Sequence, residues 1–207
     1  MMSWATLSVF VPTFLLVSLT PGMCMTLAMV LGMTQGVKRA LWMMVGELIG
    51  GGLVAAAAGA GVAALMLRQP ALFMAFKWVG GAYLAYIGIM MWRSRGRMAI
   101  PNELEAGPPA GRWQLALQGF LTAVANPKGW AFFMVLLPPF LDSSRPLGQQ
   151  LITLIAVILT IEFASMLVYA TGGKTLRRVL GKSGNVRLLN RIAGTLMIGV
   201  GVWLALG

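Results

Sequence analysis

The chain has 207 residues, of which 58% are hydrophobic and only 10% charged, with a formal net charge of +11 and a mean hydropathy of +0.82. So much apolar surface excludes an ordinary soluble domain, and the basic residues cluster between apolar runs, which marks membrane topology and contact with anionic lipid and not nucleic-acid binding. Histidine is absent and Cys24 is the one cysteine, which excludes internal disulfides, Ser–His and Cys–His catalysis and the commoner zinc sites; no cofactor is indicated and an enzyme is not expected.

Six apolar runs follow in order, about Ser3–Gln35, Ala40–Leu67, Pro70–Trp92, Trp113–Leu141, Leu147–Thr171 and Leu188–Leu206. Each reaches or approaches the roughly 20 residues that a spanning helix needs. The first run starts with no basic segment and is too long for the apolar part of a cleavable signal, so it is expected to stay in the protein. Splitting it at Thr20-Pro21-Gly22 would leave two pieces too short to span, so it is expected to be one helix broken in the middle. The fourth run carries a second break, Asn126-Pro127-Lys128-Gly129, in which Lys128 is the run's only charge. Proline removes a backbone donor and disfavours helix at the preceding residue. Hydrocarbon cannot satisfy the freed N–H and C=O groups, so both breaks must face protein or water. Interrupted spans at matching places in two halves of a chain point to a transporter's substrate site.

The connections set the orientation. Lys38 and Arg39, then Arg93, Arg95, Arg97 and Arg112, then Lys174, Arg177, Arg178, Lys182, Arg187 and Arg191 lie in or beside the odd connections, whereas the even ones hold Arg68 and Arg145. The excess places the odd connections in the cytoplasm and both termini on the periplasmic side. Residues 93–112, with Pro101, Pro108, Pro109 and the acids Glu103 and Glu105, form a polar linker between two halves, about 1–92 and 113–207, of a single transporter domain. The fifth connection is a basic amphipathic stretch whose Leu176, Val179 and Leu180 are candidates to rest on the membrane surface, against the plainer and preferred reading of a solvated positive-inside loop.

A weak internal repeat relates the halves. Lys77-Trp78-Val79-Gly80-Gly81 with Gly88 resembles Asn190-Arg191-Ile192-Ala193-Gly194 with Gly201, while Pro21 matches Pro127 and Glu47 matches Glu162 at nearby offsets. Three spans per half insert the second copy upside down, as in many secondary transporters. The expected fold is therefore an all-α membrane protein of six spans in two inverted three-helix repeats.

Glu47 and Glu162 lie inside the second and fifth runs. An ionised carboxylate at that depth costs at least ~2.5–3.5 kcal/mol, so each must face the bundle interior, pair with a cation or bind a proton. They are candidates for a substrate ammonium or exchangeable protons, against the plainer alternative of ion pairs with Lys128 or Lys77. Lys128 is a candidate for a substrate carboxylate, beside the free N–H groups of a half-helix. Lys77 is expected to snorkel to the outer interface. Trp78, Tyr83, Tyr86 and Tyr169 are weaker candidates for lining a cavity.

These elements together resemble the LysE/RhtB family of bacterial amino-acid exporters along nearly the whole chain. The matching pieces are Thr20-Pro21-Gly22, Gly32 and Gly36, Gly46 with Gly50, Lys77-Trp78-Val79-Gly80-Gly81-Ala82-Tyr83-Leu84 with Gly88, Asn126-Pro127-Lys128 with Phe132-Phe133, Pro138-Pro139-Phe140, Glu162 and Asn190-Arg191-Ile192-Ala193-Gly194. The resemblance implies export of amino acids or small derivatives from the bacterial cytoplasm across the inner membrane, driven by the proton-motive force. It leaves open the cargo and whether the protein is a homodimer. The rival expectation is an ion or metal exporter of similar architecture. Three positions depart from the family pattern: Met23 follows Gly22 where proline is common, Pro139 replaces a frequent glutamine, and Gly51 stands where many members carry an acid. Glu47, one turn from Gly51 on the same helix face, would compensate for the last. The expected substrate site is thus Pro21, Gly22, Glu47, Gly51, Asn126, Pro127, Lys128 and Glu162, with no metal site.

Overall fold

In a computed structural model of the chain, residues 3–94, 110–180 and 183–206 are described. They form eight α-helices and one 3-10 turn: α1 (Trp4–Leu19), α2 (Met23–Thr34), α3 (Val37–Arg68), α4 (Pro70–Arg93), α5 (Arg112–Val124), α6 (Pro127–Leu136), the turn Pro138–Phe140, α7 (Leu147–Leu180) and α8 (Ser183–Leu206). No strand occurs among them. By length and composition α3, α4 and α7 can each cross a membrane, and so can α1 and α2 taken as one span bent by 58°. Most of the expected linker, 95–109, lies outside the described residues, as do Gly181 and Lys182.

The element boundaries follow local chemistry. Ser3 caps α1 by accepting a hydrogen bond from the Thr6 amide. Gly36 opens α3 with φ at 85°, a left-handed conformation that glycine adopts without a steric penalty. Pro70 starts α4, where its missing N–H would have no helical partner anyway. The loop after the 3-10 turn is fastened by the buried Gln150, which donates to the Asp142 carbonyl at 2.8 Å and accepts from the Asp142 amide at 2.9 Å. Outside the membrane, hydrogen bonds from the Ser144 hydroxyl and amide hold the Asp142 carboxyl below its usual range, helped by Arg145.

α7 continues past the end of its apolar run near Thr171 as far as Leu180, so the basic stretch that contains Leu176, Val179 and Leu180 is helical. Lys and Arg are good helix formers, and their charge ends the apolar run without ending the helix.

Small residues bring the helices into backbone contact, the packing that replaces hydrophobic drive within lipid. Gly46 and Gly119 seat α3 on α5: a Cβ on either would collide with backbone of the other helix, at Ala116 and at Met43 with Glu47. Gly32 does the same for α2 against Ala170 of α7. A reciprocal pair joins α4 to α8: a Cβ at Gly81 would lie 2.5 Å from the Gly201 carbonyl oxygen and one at Gly201 2.6 Å from that of Gly81. Gly88 and Gly194 face each other in the same way at 2.5 Å. The Trp92 indole donates to Thr195 at 2.9 Å and so extends this seam toward the basic end of the bundle.

Two buried clusters result. Phe10, Phe14, Val54, Phe133, Phe140 and Leu154 belong to one. The methionines Met25, Met29, Met43, Met44 and Met166, with Leu115 and Tyr169, belong to the other, toward the basic connections.

Candidate functional site

Both breaks interrupt helices where the sequence placed them. In the first, α1 ends at Leu19 and α2 begins at Met23 after an extended Gly22 that supplies no side-chain cap. Three donors meet the carbonyls left over at the end of α1. The Thr20 amide bonds the Val17 carbonyl at 3.1 Å and its hydroxyl bonds Leu16 at 2.9 Å. The third is the phenol of Tyr169, which reaches across from α7 to the Leu19 carbonyl at 2.8 Å. In the second break the Trp130 indole N–H folds back to the Val124 carbonyl at 2.9 Å, and the Asn126 carbonyl accepts the amides of Gly129 and Trp130 at 3.0 and 3.4 Å. Each break therefore has an aromatic donor on a carbonyl at the end of its first half-helix, which meets the demand that irregular backbone in a membrane be satisfied by protein.

The N-terminal residues of α2 are left differently. Met23, Cys24 and Met25 lie in the first turn, whose amides have no intrahelical acceptor, and together with Pro21 and Gly22 they line a cavity of about 460 Å³. Asn126 and Gly129 of the second break line the same cavity, as do Glu47, Gly51 and Glu162. Its other walls are largely apolar, from Phe14, Val17, Val54, Phe132, Phe133 and Ile158. The volume falls in the range typical of small-molecule sites.

Six of the eight expected residues therefore meet at one cavity: Pro21, Gly22, Glu47, Gly51, Asn126 and Glu162. Pro127 and Lys128 begin α6, but their side chains lie outside the described part, so the expected contact of Lys128 with cargo is not decided. Glu47 is buried and its Oε2 has no hydrogen-bond partner among the described residues. Its Oε1 lies 3.6 Å from where a Cβ at Gly51 would stand. The Glu47 carboxylate thus lies over the Gly51 turn, within ordinary contact distance of it. Glu162 is close enough to interact electrostatically with Glu47 and with Cys24. Two carboxyl groups and a helix N-terminus around one cavity can hold a zwitterion, with the ammonium at the acids and the carboxylate at the amides.

Other residues named in the sequence lie elsewhere. Trp78, Tyr83 and Tyr86 do not line this cavity; they stand on the outward face of α4 and are well exposed. Tyr169 is buried, but it secures the first break and does not line the cavity. Lys77 lines a different pocket, at the end of the bundle where α3 passes into α4. Two further residues belong to this region: Ser18, which lines the cavity with a buried hydroxyl that has no partner among the described residues, and Trp130, which the sequence did not single out. Among the described residues no group of three or more His, Cys, Asp or Glu could hold a metal ion.

Comparison with known proteins bears on what such a cavity serves. The family model described as LysE type translocator matches residues 15–207. The chain belongs to this family. It is 27% identical over 193 residues to a homoserine/homoserine lactone efflux protein of Salmonella typhimurium, covering 93% of this chain and 92% of the relative. It is 28% identical over 190 residues to a leucine efflux protein of Enterobacter sp. strain 638, covering 90% and 89%. An uncharacterized membrane protein of Vibrio cholerae is 28% identical over 193 residues, 93% of each chain. No solved structure matches the chain. This translocator is accordingly a multi-pass membrane protein of a transporter family.

Tyr169 offers a direct test of how the first break is held. Tyr169→Phe removes the one donor that α7 sends to the end of α1. The part-buried Leu19 carbonyl then loses that donor, at about 1 kcal/mol. Transport by the variant is expected to slow several-fold in its maximal rate while purified protein remains folded; unchanged transport kinetics would show that the bond has no part in holding the break.

Proposed function

We propose that the protein is a secondary exporter that moves amino acids or small amino-acid derivatives out of the cytoplasm across the bacterial inner membrane by proton antiport. The observation that carries this reading is the convergence of two helix breaks and two carboxylates on one cavity. The cargo carboxylate lies at the free amides of Met23, Cys24 and Met25, where the α2 dipole favours an anion. Its ammonium lies between Glu162 and Glu47. Its side chain meets Phe14, Phe132 and Ile158, which suits a small aliphatic or hydroxylated group; the names of the homoserine and leucine efflux relatives agree with that class.

Exchange follows from competition for the carboxylates. Proton binding neutralises a group that held the ammonium and releases the cargo; loss of the proton restores the charge and permits loading. Glu47, buried with one oxygen unpartnered, is the proton-exchanging member of the pair.

The architecture assigned to this activity is six spans in two inverted repeats, with α1–α2 and α5–α6 as the broken spans and both termini periplasmic. Supporting it, the repeat equates Gly81 with Gly194 and Gly88 with Gly201. The observed contacts, Gly81 with Gly201 and Gly88 with Gly194, turn into each other under that exchange. Two-fold related helices crossing at their own axis make such a pattern. The tight α3–α5 and α2–α7 seams lie toward the basic connections, so the arrangement is the one closed to the cytoplasm, and loading requires them to part.

Overproduction tests the cargo class. Cells making the protein in excess should tolerate and accumulate outside them homoserine, threonine or leucine, and a change confined to inorganic cations would favour the ion-export alternative.

A further inference from the structure

A second pocket, of about 260 Å³, lies away from the central cavity, at the end of the bundle where α3 passes into α4. Among the described residues Lys77 is its one charged lining residue, amid Met66, Phe73, Pro138, Pro139, Leu141 and Trp203. Its floor is firm. Pro138 and Phe140 are buried, the 3-10 turn is fixed by amide bonds of Phe140 and Leu141 to the carbonyls of Leu137 and Pro138, and Phe140 meets the Trp203 ring edge to face at 5.5 Å. Two motifs that the transport cavity leaves unused, the one beginning at Lys77 and Pro138-Pro139-Phe140, thus build one concave site.

The chemistry of the site selects a class of ligand. Lys77 is half-buried about two turns into α4, and an anion beside it lowers the cost of holding an ammonium among apolar walls. An amino acid in transit fits poorly, because the lining offers no carboxylate for its ammonium. A free inorganic anion would gain nothing from six apolar walls. An anion carrying an acyl chain uses both parts, with its head on Lys77 and its chain along Phe73, Pro139 and Trp203. We propose that this pocket is a binding site for an anionic amphiphile, either an acidic phospholipid or a fatty acid.

The test uses the purified full-length protein in detergent, with bound lipid counted by native mass spectrometry. It is offered phosphatidylglycerol, oleate, phosphatidylcholine and inorganic phosphate in separate arms. The wild type should retain one copy of phosphatidylglycerol or of oleate in preference to phosphatidylcholine, and whichever is retained identifies the source of the head group. Lys77→Gln should weaken that retention about tenfold, as expected for one charge-assisted contact, while Lys77→Arg keeps it. Unaltered amino-acid transport by Lys77→Gln would show that the variant is folded. Equal retention by wild type and Lys77→Gln, equal binding of phosphatidylcholine, or displacement of the amphiphile by inorganic phosphate would overturn the proposal.

Discussion

Replacing Glu47 by glutamine is expected to reduce proton-coupled export by about 10- to 100-fold, the factor that accompanies loss of a hydrogen bond to a charged group worth about 1.5–3 kcal/mol. Glutamine keeps the volume over Gly51 and much of the packing, so the protein should fold and reach the membrane. What it loses is the ability to exchange a proton. In proteoliposomes the variant should still swap labelled for unlabelled cargo across the membrane, because Glu162 remains on the cavity, but an imposed pH gradient should no longer drive net movement. Glu162→Gln should lose both, since the ammonium then has no strong acceptor opposite Glu47. Normal gradient-driven export by Glu47→Gln would remove Glu47 from the mechanism and with it the compensation between Glu47 and Gly51.

The second large effect concerns the seam between α3 and α5. Gly46→Val forces a branched side chain into the Ala116 backbone, where no rotamer change can relieve it. Overpacking of this kind costs about 1–3 kcal/mol even against side chains, and backbone yields less. The apparent melting temperature of the purified protein should fall by about 5–10 °C, taking 2–4 °C per kcal/mol for a chain of this size. Gly61→Val provides the control on the same helix, because nothing lies within 4 Å of a Cβ there. It should melt within about 2 °C of wild type, as neutral exposed substitutions do. Similar losses at both positions would mean that the α3–α5 contact does not set the cost, since valine has a better helix propensity than glycine.

Much of this arrangement is visible in the sequence because it is local or energetically forced. Pro21-Gly22 and Asn126-Pro127 stop helices through their own backbone chemistry, whatever surrounds them. Glu47 and Glu162 had to face inward, because lipid gives a carboxylate nothing to bind. The relation of Glu47 to Gly51 needed only helical spacing. Other features depend on partners far away in the chain. Nothing near Tyr169 announces that its hydroxyl meets Leu19, 150 residues earlier, and the return of the Trp130 indole to Val124 depends on the break having formed first.

Orientation within an apolar span is also hidden. Along α4, Trp78, Tyr83 and Tyr86 alternate with Gly80, Gly81 and Leu84 with little contrast in polarity, so composition did not tell which side would meet α8. The structure puts the glycines and Leu84 inward and the aromatics outward. The rule that decides it is steric, since close approach of two backbones needs glycine. At the end of α7 charge marks where the apolar run stops, not where the helix does.

Cargo movement by the purified protein in sealed liposomes, with the pH of the two sides set independently, examines the antiport reading most directly. Labelled homoserine or leucine should accumulate against its gradient toward the more acidic compartment and stop when the gradient is collapsed by a protonophore. Accumulation that ignores the pH difference, with the same protein actively exchanging cargo, would contradict a shared carboxylate site for proton and ammonium.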